Sequence, residues 1–442
     1  MTPSTNRQLL EASFRAAVLA ADPAHIMSEH LPSEAQLKRY AKVTVVGAGK
    51  AAASMARALE IAMPASIQFD GLVVTRYGHG MPTQRIKVIE AAHPVPDAAG
   101  LDAARQILSE ATKLSADDLL IVLISGGGSS LLSLPAQGVS IDDLRQVTKA
   151  LLASGAPIEQ MNIVRKHLSQ IQGGRLAQAT KAQVLVLVIS DVAGDDFSDI
   201  ASGPCAPDPS TFLDAQRVLK RWSIAAPMSI EKRLGDGVAG LVADTLKPND
   251  PIFSRVEHRL IACAHHSLEA AAKVIQAAGV RAVILGDTVT GEARDVAQVM
   301  AAITREIMVH QQPFKGPVAL ISGGECTVTL RGNSVDSATQ SKARGGRCSE
   351  FLLALVDTLG PLANQIDALA ADTDGIDGSE DNAGAVWTPN MRTLVDAAGM
   401  HSRQSLDAND AWGFFDVAGG LLHTGPTLTN VNDYRVILIK GS

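Results

Sequence analysis

The stretch DDLLIVLISGGGSSLLSLP, residues 117–135, constrains this chain more than any other. Two carboxylates precede an apolar run, 120–124, that shows no alternation, so it reads as a strand buried on both faces of a parallel sheet. The run passes directly into Ser125, Gly126, Gly127, Gly128, Ser129 and Ser130, and a helix is expected from Leu131. Glycines let the backbone approach a ligand closely, and amides in such a loop and at a helix start point at whatever lies there. The loop is therefore a candidate phosphate site; a turn that only redirects the chain is the plainer alternative.

The same grammar recurs four times. The run 43–46 leads into Gly47, Ala48, Gly49 and Lys50; 184–189 into SDVAGDD; 318–321 into Ser322, Gly323, Gly324 and Glu325; and 366–371 into Asp372, Thr373, Asp374 and Gly375. Ligands of open α/β sheets bind beyond the carboxyl ends of strands, so these loops are expected to line one cleft. Aromatic residues make up only 3% of the 442-residue chain, which leaves Ala, Val, Leu and Ile to build the core, as suits helices packed on parallel strands. A net charge of −7 and the lack of a basic, aromatic-laced stripe argue against nucleic acid as a partner. The four cysteines stand far apart, without the spacing of a zinc site or a disulfide framework, which fits a reducing compartment. Residues 6–21 place Glu11 and Arg15 among apolar positions at helical spacing, so an amphipathic helix is expected there rather than a signal segment. No apolar run reaches the roughly 18 residues of a membrane span, and a cytoplasmic location is expected.

GAGKAA, beginning at Gly47, spells the dinucleotide-type turn G-x-G-x-x-A. An NAD site would place an acidic residue after the next strand, but Thr75, Arg76 and Tyr77 stand there, which disfavours NAD and leaves Arg76 for a possible 2′-phosphate. Lys50 carries more weight, because a cation at a helix N-terminus opposes the dipole and calls for an anionic partner. His93, in a segment rigidified by Pro94 and Pro96, either faces the cleft or caps a turn. Arg165 and Lys166 are candidate phosphate contacts, against the usual solvated pair. Among the carboxylates of SDVAGDD, Asp191 directly follows its strand and is the choice for metal or base chemistry.

KPNDP at residues 247–251 reads as a linker, followed by a second α/β unit whose first strand, 260–264, ends before His265 and His266. Adjacent histidines on a strand face opposite ways, so joint metal ligation is not expected. Residues 333–343 are polar and read as a mobile loop. Arg347 follows two glycines at a helix start, so the dipole argument for Lys50 applies to it as well. The last strand, 436–439, is expected to complete the second sheet or return to the first.

These motifs, with EAAHPVPD, MNIVRKHLSQIQGGRLA, IASGPCAPDPSTF, GGRCSEF, DTDGIDG and DVAGGLLHTGPTLTNVND, resemble the glycerate 2-kinase family, type-2 glycerate kinases with a C-terminal MOFRL domain. The resemblance implies two α/β domains, an N-terminal Rossmann-like one with a mainly parallel sheet and a smaller C-terminal MOFRL one, with the active site in the interdomain cleft. The domains are expected at 1–245 and 252–442. It implies ATP and Mg²⁺, with D-glycerate phosphorylated at the 2-hydroxyl, and a homodimer is kept open. Lys50, Arg347 and Asp191 match the family's catalytic positions. Gly47, Gly49, the loop 125–130, Gly324 and Glu325 are the expected nucleotide-binding residues, and Asp191 with Asp374 the expected metal ligands. This chain departs from the pattern at Cys348 and Ser349, where relatives have Asn-Gln, and at His265 and His266, where they have Asn-Asn. Some relatives bear the label hydroxypyruvate reductase, an NAD(P)H-dependent alternative.

Overall fold

The computed structural model describes residues 3–330 and 343–441, so the loop expected at 333–343 lies outside the described residues apart from Ala343. The chain divides into two compact units, residues 23–261 and residues 1–22 with 262–442.

In the first unit, β1 (Val43–Ala48), β2 (Phe69–Arg76), β3 (Ile86–Ala91), β4 (Leu119–Ile124), β5 (Gln183–Ile189) and β6 (Val256–Ala262) form one sheet in the order β3-β2-β1-β4-β5-β6. The pairings among β1 to β5 are parallel. Every residue of β1 and β4 is buried, as their apolar runs require, and the one hydroxyl among them, on Thr44, donates to Asp70. Gly47 makes the central pairing possible: a Cβ there would lie 2.5 Å from the Leu123 carbonyl oxygen. The strand order reverses between β1 and β4, so the loops leaving these neighbours, GAGK and SGGGSS, flank the crevice where doubly wound sheets take their ligands. The β5 loop emerges beside them.

The second unit holds β7 (Arg281–Gly286), β9 (Val318–Ser322), β11 (Ile366–Asp372), β12 (Gly384–Trp387), β13 (Leu421–Leu422) and β14 (Asp433–Ile439), in the order β13-β12-β11-β14-β9-β7. A short ribbon of β8 (Gly291–Glu292) and β10 (Cys326–Thr327) stands apart from it. The last strand, β14, is central, antiparallel to both β11 and β9. Alternation decides both faces: Val318, Leu320, Ile437 and Ile439 enter one core, and Ala319, Ile321, Val436 and Leu438 the other. The five polar loops of the sequence thus fall into two sets, three at the carboxyl edge of the first sheet and two, after β9 and β11, at one edge of the second.

Two boundaries differ from the sequence reading. The N-terminal helix Pro3–Leu19 belongs to the second unit, because its stripe Leu10, Phe14 and Ala17 shares a core with Leu268, Ala271 and Ile275. Two polar contacts fix it: Asn6 Nδ2 donates to Asp367 at 2.7 Å, and Ser13 Oγ lies 2.9 Å from the Tyr434 hydroxyl. Strand β6, expected to open the second unit, instead extends the first sheet, where His258 stacks on Phe197 at 4.7 Å and Arg255 donates to the carbonyls of Thr180 and Ala182. KPNDP is therefore no linker. Its neighbour Leu246 accepts from the Asp208 amide and donates to Gly173 within the first unit. His265 and His266 sit in the first turn of the helix Ala264–Ala277 rather than at a strand end, with His265 3.6 Å from Glu269. Among the described residues no helix is long and apolar enough to cross a membrane.

Candidate functional site

In the first unit the glycine loop and the lysine turn are bonded to each other. The Lys50 amide donates to the Gly126 carbonyl at 2.8 Å, Ala51 donates to Ser125 Oγ at 3.0 Å, and the Ser125 amide donates to Ala48. Gly49 donates to Val74, and Thr75 Oγ1 donates to the Lys50 carbonyl. The amides of the GAGK turn are thus committed to packing, whereas those of Gly126 and Gly127 donate to no group among the described residues. Over these two glycines lie three side chains: Asp191 at Gly126, and His93 and the stem of Lys50 at Gly127. The helix expected after the loop is a single turn, Gly128–Leu131, so what this loop offers an anion is its own amides and the Lys50 side chain rather than a helix dipole.

His93 faces this cluster. Burial, and then the charges of Lys50, Arg76, Arg165 and the neighbouring His79, lower its pKa to about 3, so it is neutral near pH 7. Because the unfolded value is near 6.5, the unfolded chain binds more protons at acid pH. The stability that His93 contributes is then complete above about pH 6.5 and is lost as pH falls towards 3. His258, pushed down to about 4 by burial, acts in the same direction. His93→Gln is expected to flatten the fall in urea midpoint between about pH 6.5 and 4. Equal slopes in variant and parent would place the acid sensitivity elsewhere.

The basic pair of MNIVRKHL is not solvated. Lys166 is buried and lies 3.4 Å from Asp199 and 3.3 Å from Asp208, an internal ion pair. Arg165 is buried as well, with one hydrogen bond among the described residues, from Nη1 to Asn162 Oδ1 at 3.2 Å. Asn162 Oδ1 also accepts from Ser202 Oγ at 3.0 Å, and Ser202 Oγ lies 2.8 Å from Ser129 Oγ, so Ser202 ties this helix to the glycine loop. Ser202 reaches both from a left-handed backbone, φ +58, flanked by Ala201 at +52 and Gly203 at +56. Such a run is costly and is met mainly at functional sites.

In the second unit Arg347 starts the helix Arg347–Leu359. The helix N-terminus does have its anion, and it is internal: Asp377 accepts from the amides of Cys348 at 2.9 Å and Ser349 at 2.8 Å. A Cβ on Gly346 would meet Asp377 Oδ1 at 2.3 Å, which accounts for that glycine. Arg347 itself is held by Asp372 at Nη2, by Asp433 at Nε (2.7 Å) and by Glu325 at Nη1 (3.2 Å). Burial opposes its charge, but Asp372, Asp433 and Glu325 outweigh it and hold the pKa well above the ordinary value. The expected free cation is thus already matched by carboxylates. Asp372 and Asp433 are buried and Asp433 keeps Arg435 at 2.6 Å, but removing the guanidinium takes a cation from both acids, so Arg347→Ala is expected to lower stability by about 3 kcal/mol as well as activity. Chemical denaturation checks this; a stability unchanged within 1 kcal/mol would contradict it.

Asp374 is buried and its Oδ1 accepts from the Ile376 amide, a turn-forming role. Gly324 accepts from the Asp433 amide and from Arg435. Cys348 lies in the core, so that departure from the family pattern is a packing position. Sequence reasoning missed Asp433, Asn162 and the capping role of Asp377 and saw Ser202 only as a hydroxyl at a turn; each acts at least in part through a partner distant in the chain. Only the polar crowding of DTDGIDG and SGP marked their neighbourhoods.

Fold and site define an α/β protein with a glycine loop and a lysine at the switch point of a parallel sheet. Residues 9–235 match a family described as a domain of unknown function, DUF4147, and residues 318–433 match the MOFRL family. The chain belongs to the glycerate 2-kinase family that these two regions make up. It is 36% identical to the D-glycerate 2-kinase of Thermotoga maritima over 99% of both chains, and 40% identical to the glycerate 2-kinase of Pyrococcus horikoshii over 90% of this chain and 87% of that one. A protein of Agrobacterium vitis, named provisionally as a hydroxypyruvate reductase, is 45% identical over 98% of this chain and 94% of its own. The crystal structure of the Thermotoga maritima glycerate kinase superposes with a TM-score of 0.84 at 35% identity, covering 99% of this chain and 100% of that one.

Proposed function

We propose that this protein is a glycerate 2-kinase that transfers the terminal phosphoryl group of ATP to the 2-hydroxyl of D-glycerate. The observation that carries the reading is the Gly126 and Gly127 amides, without partners among the described residues, beneath the stem of Lys50. Phosphoryl transfer needs donors and cations fixed around oxygens that gather charge, and little covalent chemistry from the protein. Lys50 would neutralise the phosphoryl, and neutral His93 would serve as a hydrogen-bonding group beside it. Arg347, braced by its carboxylates, would be a fixed rather than a mobile charge.

Mg²⁺ would enter with the nucleotide. Among the described residues there is no group of three ligating side chains, but a nucleotide-borne Mg²⁺ needs only one or two carboxylates. Asp191 fits that need, and Asp374, bonded to a turn amide, fits it less well. When bound, the ion would supply charge stabilisation to the phosphates. The four buried free thiols suit a cytoplasmic location, which belongs to the same proposal.

The hydroxypyruvate reductase reading lacks support at β2, where Thr75, not an acid, bonds back to Lys50. Purified protein given D-glycerate, ATP and Mg²⁺ is expected to release ADP and yield 2-phosphoglycerate by mass analysis. Nicotinamide oxidation with hydroxypyruvate and no ADP release would reverse the assignment.

A further inference from the structure

Arg165 is the anomaly of the first unit. It is 9% exposed, yet its only hydrogen bond among the described residues is the neutral one to Asn162, and Nε and Nη2 make none. Burial without a carboxylate lowers its pKa to about 10. Lys166, the next residue, has two aspartates. An unmatched buried charge is expensive and persists where a ligand completes it. Arg165 lines a narrow pocket with Ser129, Ser130, Thr148 and Ser169. The chain Arg165, Asn162, Ser202, Ser129 fixes it to the end of the glycine loop. Lys50 and the Gly126 and Gly127 amides, without partners among the described residues, stand at the start of that loop.

We propose that Arg165, held by Asn162 at the Ser129 end of the glycine loop, binds the carboxylate of the small hydroxy acid on which this protein acts. The proposal rests on the kinase reading for the identity of that acid. A guanidinium offers two parallel donors that match the two oxygens of a planar carboxylate, and here Nε and Nη2 remain for them. Lys50 and the loop amides are the better site for phosphate, a compact charge met by a point cation. Carboxylate at Ser129 and phosphate at Gly126 would set a 2-hydroxy acid with that hydroxyl towards the phosphate.

Full-length parent, Arg165→Gln and Arg165→Lys are compared in steady-state assays with D-glycerate and ATP varied separately. Thermal shifts are also recorded with D-glycerate, or its neutral amide, in the absence of nucleotide. Loss of two charge-assisted hydrogen bonds predicts that Arg165→Gln raises the KM for D-glycerate about 100-fold. The KM for ATP stays within about twofold and kcat falls less than KM rises. Arg165→Lys loses about tenfold, and the amide shifts neither variant nor parent. Should Arg165→Gln not fold, Arg165→Lys carries the same comparison. An unchanged KM for D-glycerate in a folded variant overturns the proposal, as does a rise confined to ATP, which would assign Arg165 to the nucleotide. If the parent does not phosphorylate D-glycerate, the kinase reading fails separately. An Arg165-dependent thermal shift by small hydroxy-acid anions would still support the carboxylate site, and no such shift with any of them would end it.

Discussion

Lys50→Met is expected to lower kcat by about 10³-fold or more while the protein remains folded, the range associated with removing a cation from a transferring phosphoryl group. The fold should tolerate the change because what anchors this turn is backbone: the Lys50 amide on Gly126, the Ala51 amide on Ser125 and the Lys50 carbonyl under Thr75. Methionine keeps the length of the stem that lies over Gly127 and removes only the charge. A second readout is independent of turnover. Lys50 is, after burial, the first cause of the depressed pKa of His93, so the variant should titrate His93 higher than the parent. A kcat within tenfold of the parent, with the His93 titration moved, would place the charge correctly and deny it the chemistry.

Much of this arrangement was legible in the chain. The unbroken apolar runs at 43–46, 120–124 and 184–189 are central parallel strands, and the glycine and lysine loops leave their carboxyl ends, because both statements follow from local composition alone. The electrostatic reasoning at Arg347 was sound in its premise and incomplete in its outcome. A helix start of that kind does need an anion, but Asp377 is supplied from 29 and 28 residues beyond the Cys348 and Ser349 amides it binds, and Asp433 and Asp372 claim the guanidinium. Nothing in the spacing reveals which carboxylate folds back onto which cation. The same limit hid the unlike fates of Arg165 and Lys166: adjacent residues on a helix point about 100° apart, and one met two aspartates while the other met an amide. Membership of a terminal helix in one unit or the other was equally hidden, since Leu10, Phe14 and Ala17 state only that some apolar face must cover them.

Gly126→Ala should then act on the site itself, through a single added methyl. Its Cβ would fall 1.7 Å from Asp191 Oδ2 and 2.3 Å from Cγ, far inside contact distance, so the carboxylate or the loop must move. The loop is tied by the bond from the Lys50 amide to the Gly126 carbonyl, and shifting it also moves the two free amides. A displacement of about 1 Å at a reacting centre costs on the order of 10²-fold, so kcat/KM for D-glycerate is expected to fall at least that far. Gly235→Ala supplies the control. That position lies within the helix Met228–Val238 with nothing within 4 Å of its added Cβ, and alanine there should be neutral or stabilising by up to about 1 kcal/mol. The comparison separates a steric effect on the site from a general intolerance of larger residues. If Gly126→Ala turns over normally while its structure shows Asp191 displaced, then that carboxylate neither holds the metal nor orients the hydroxyl, and the acidic role in the proposed reaction must pass to another residue.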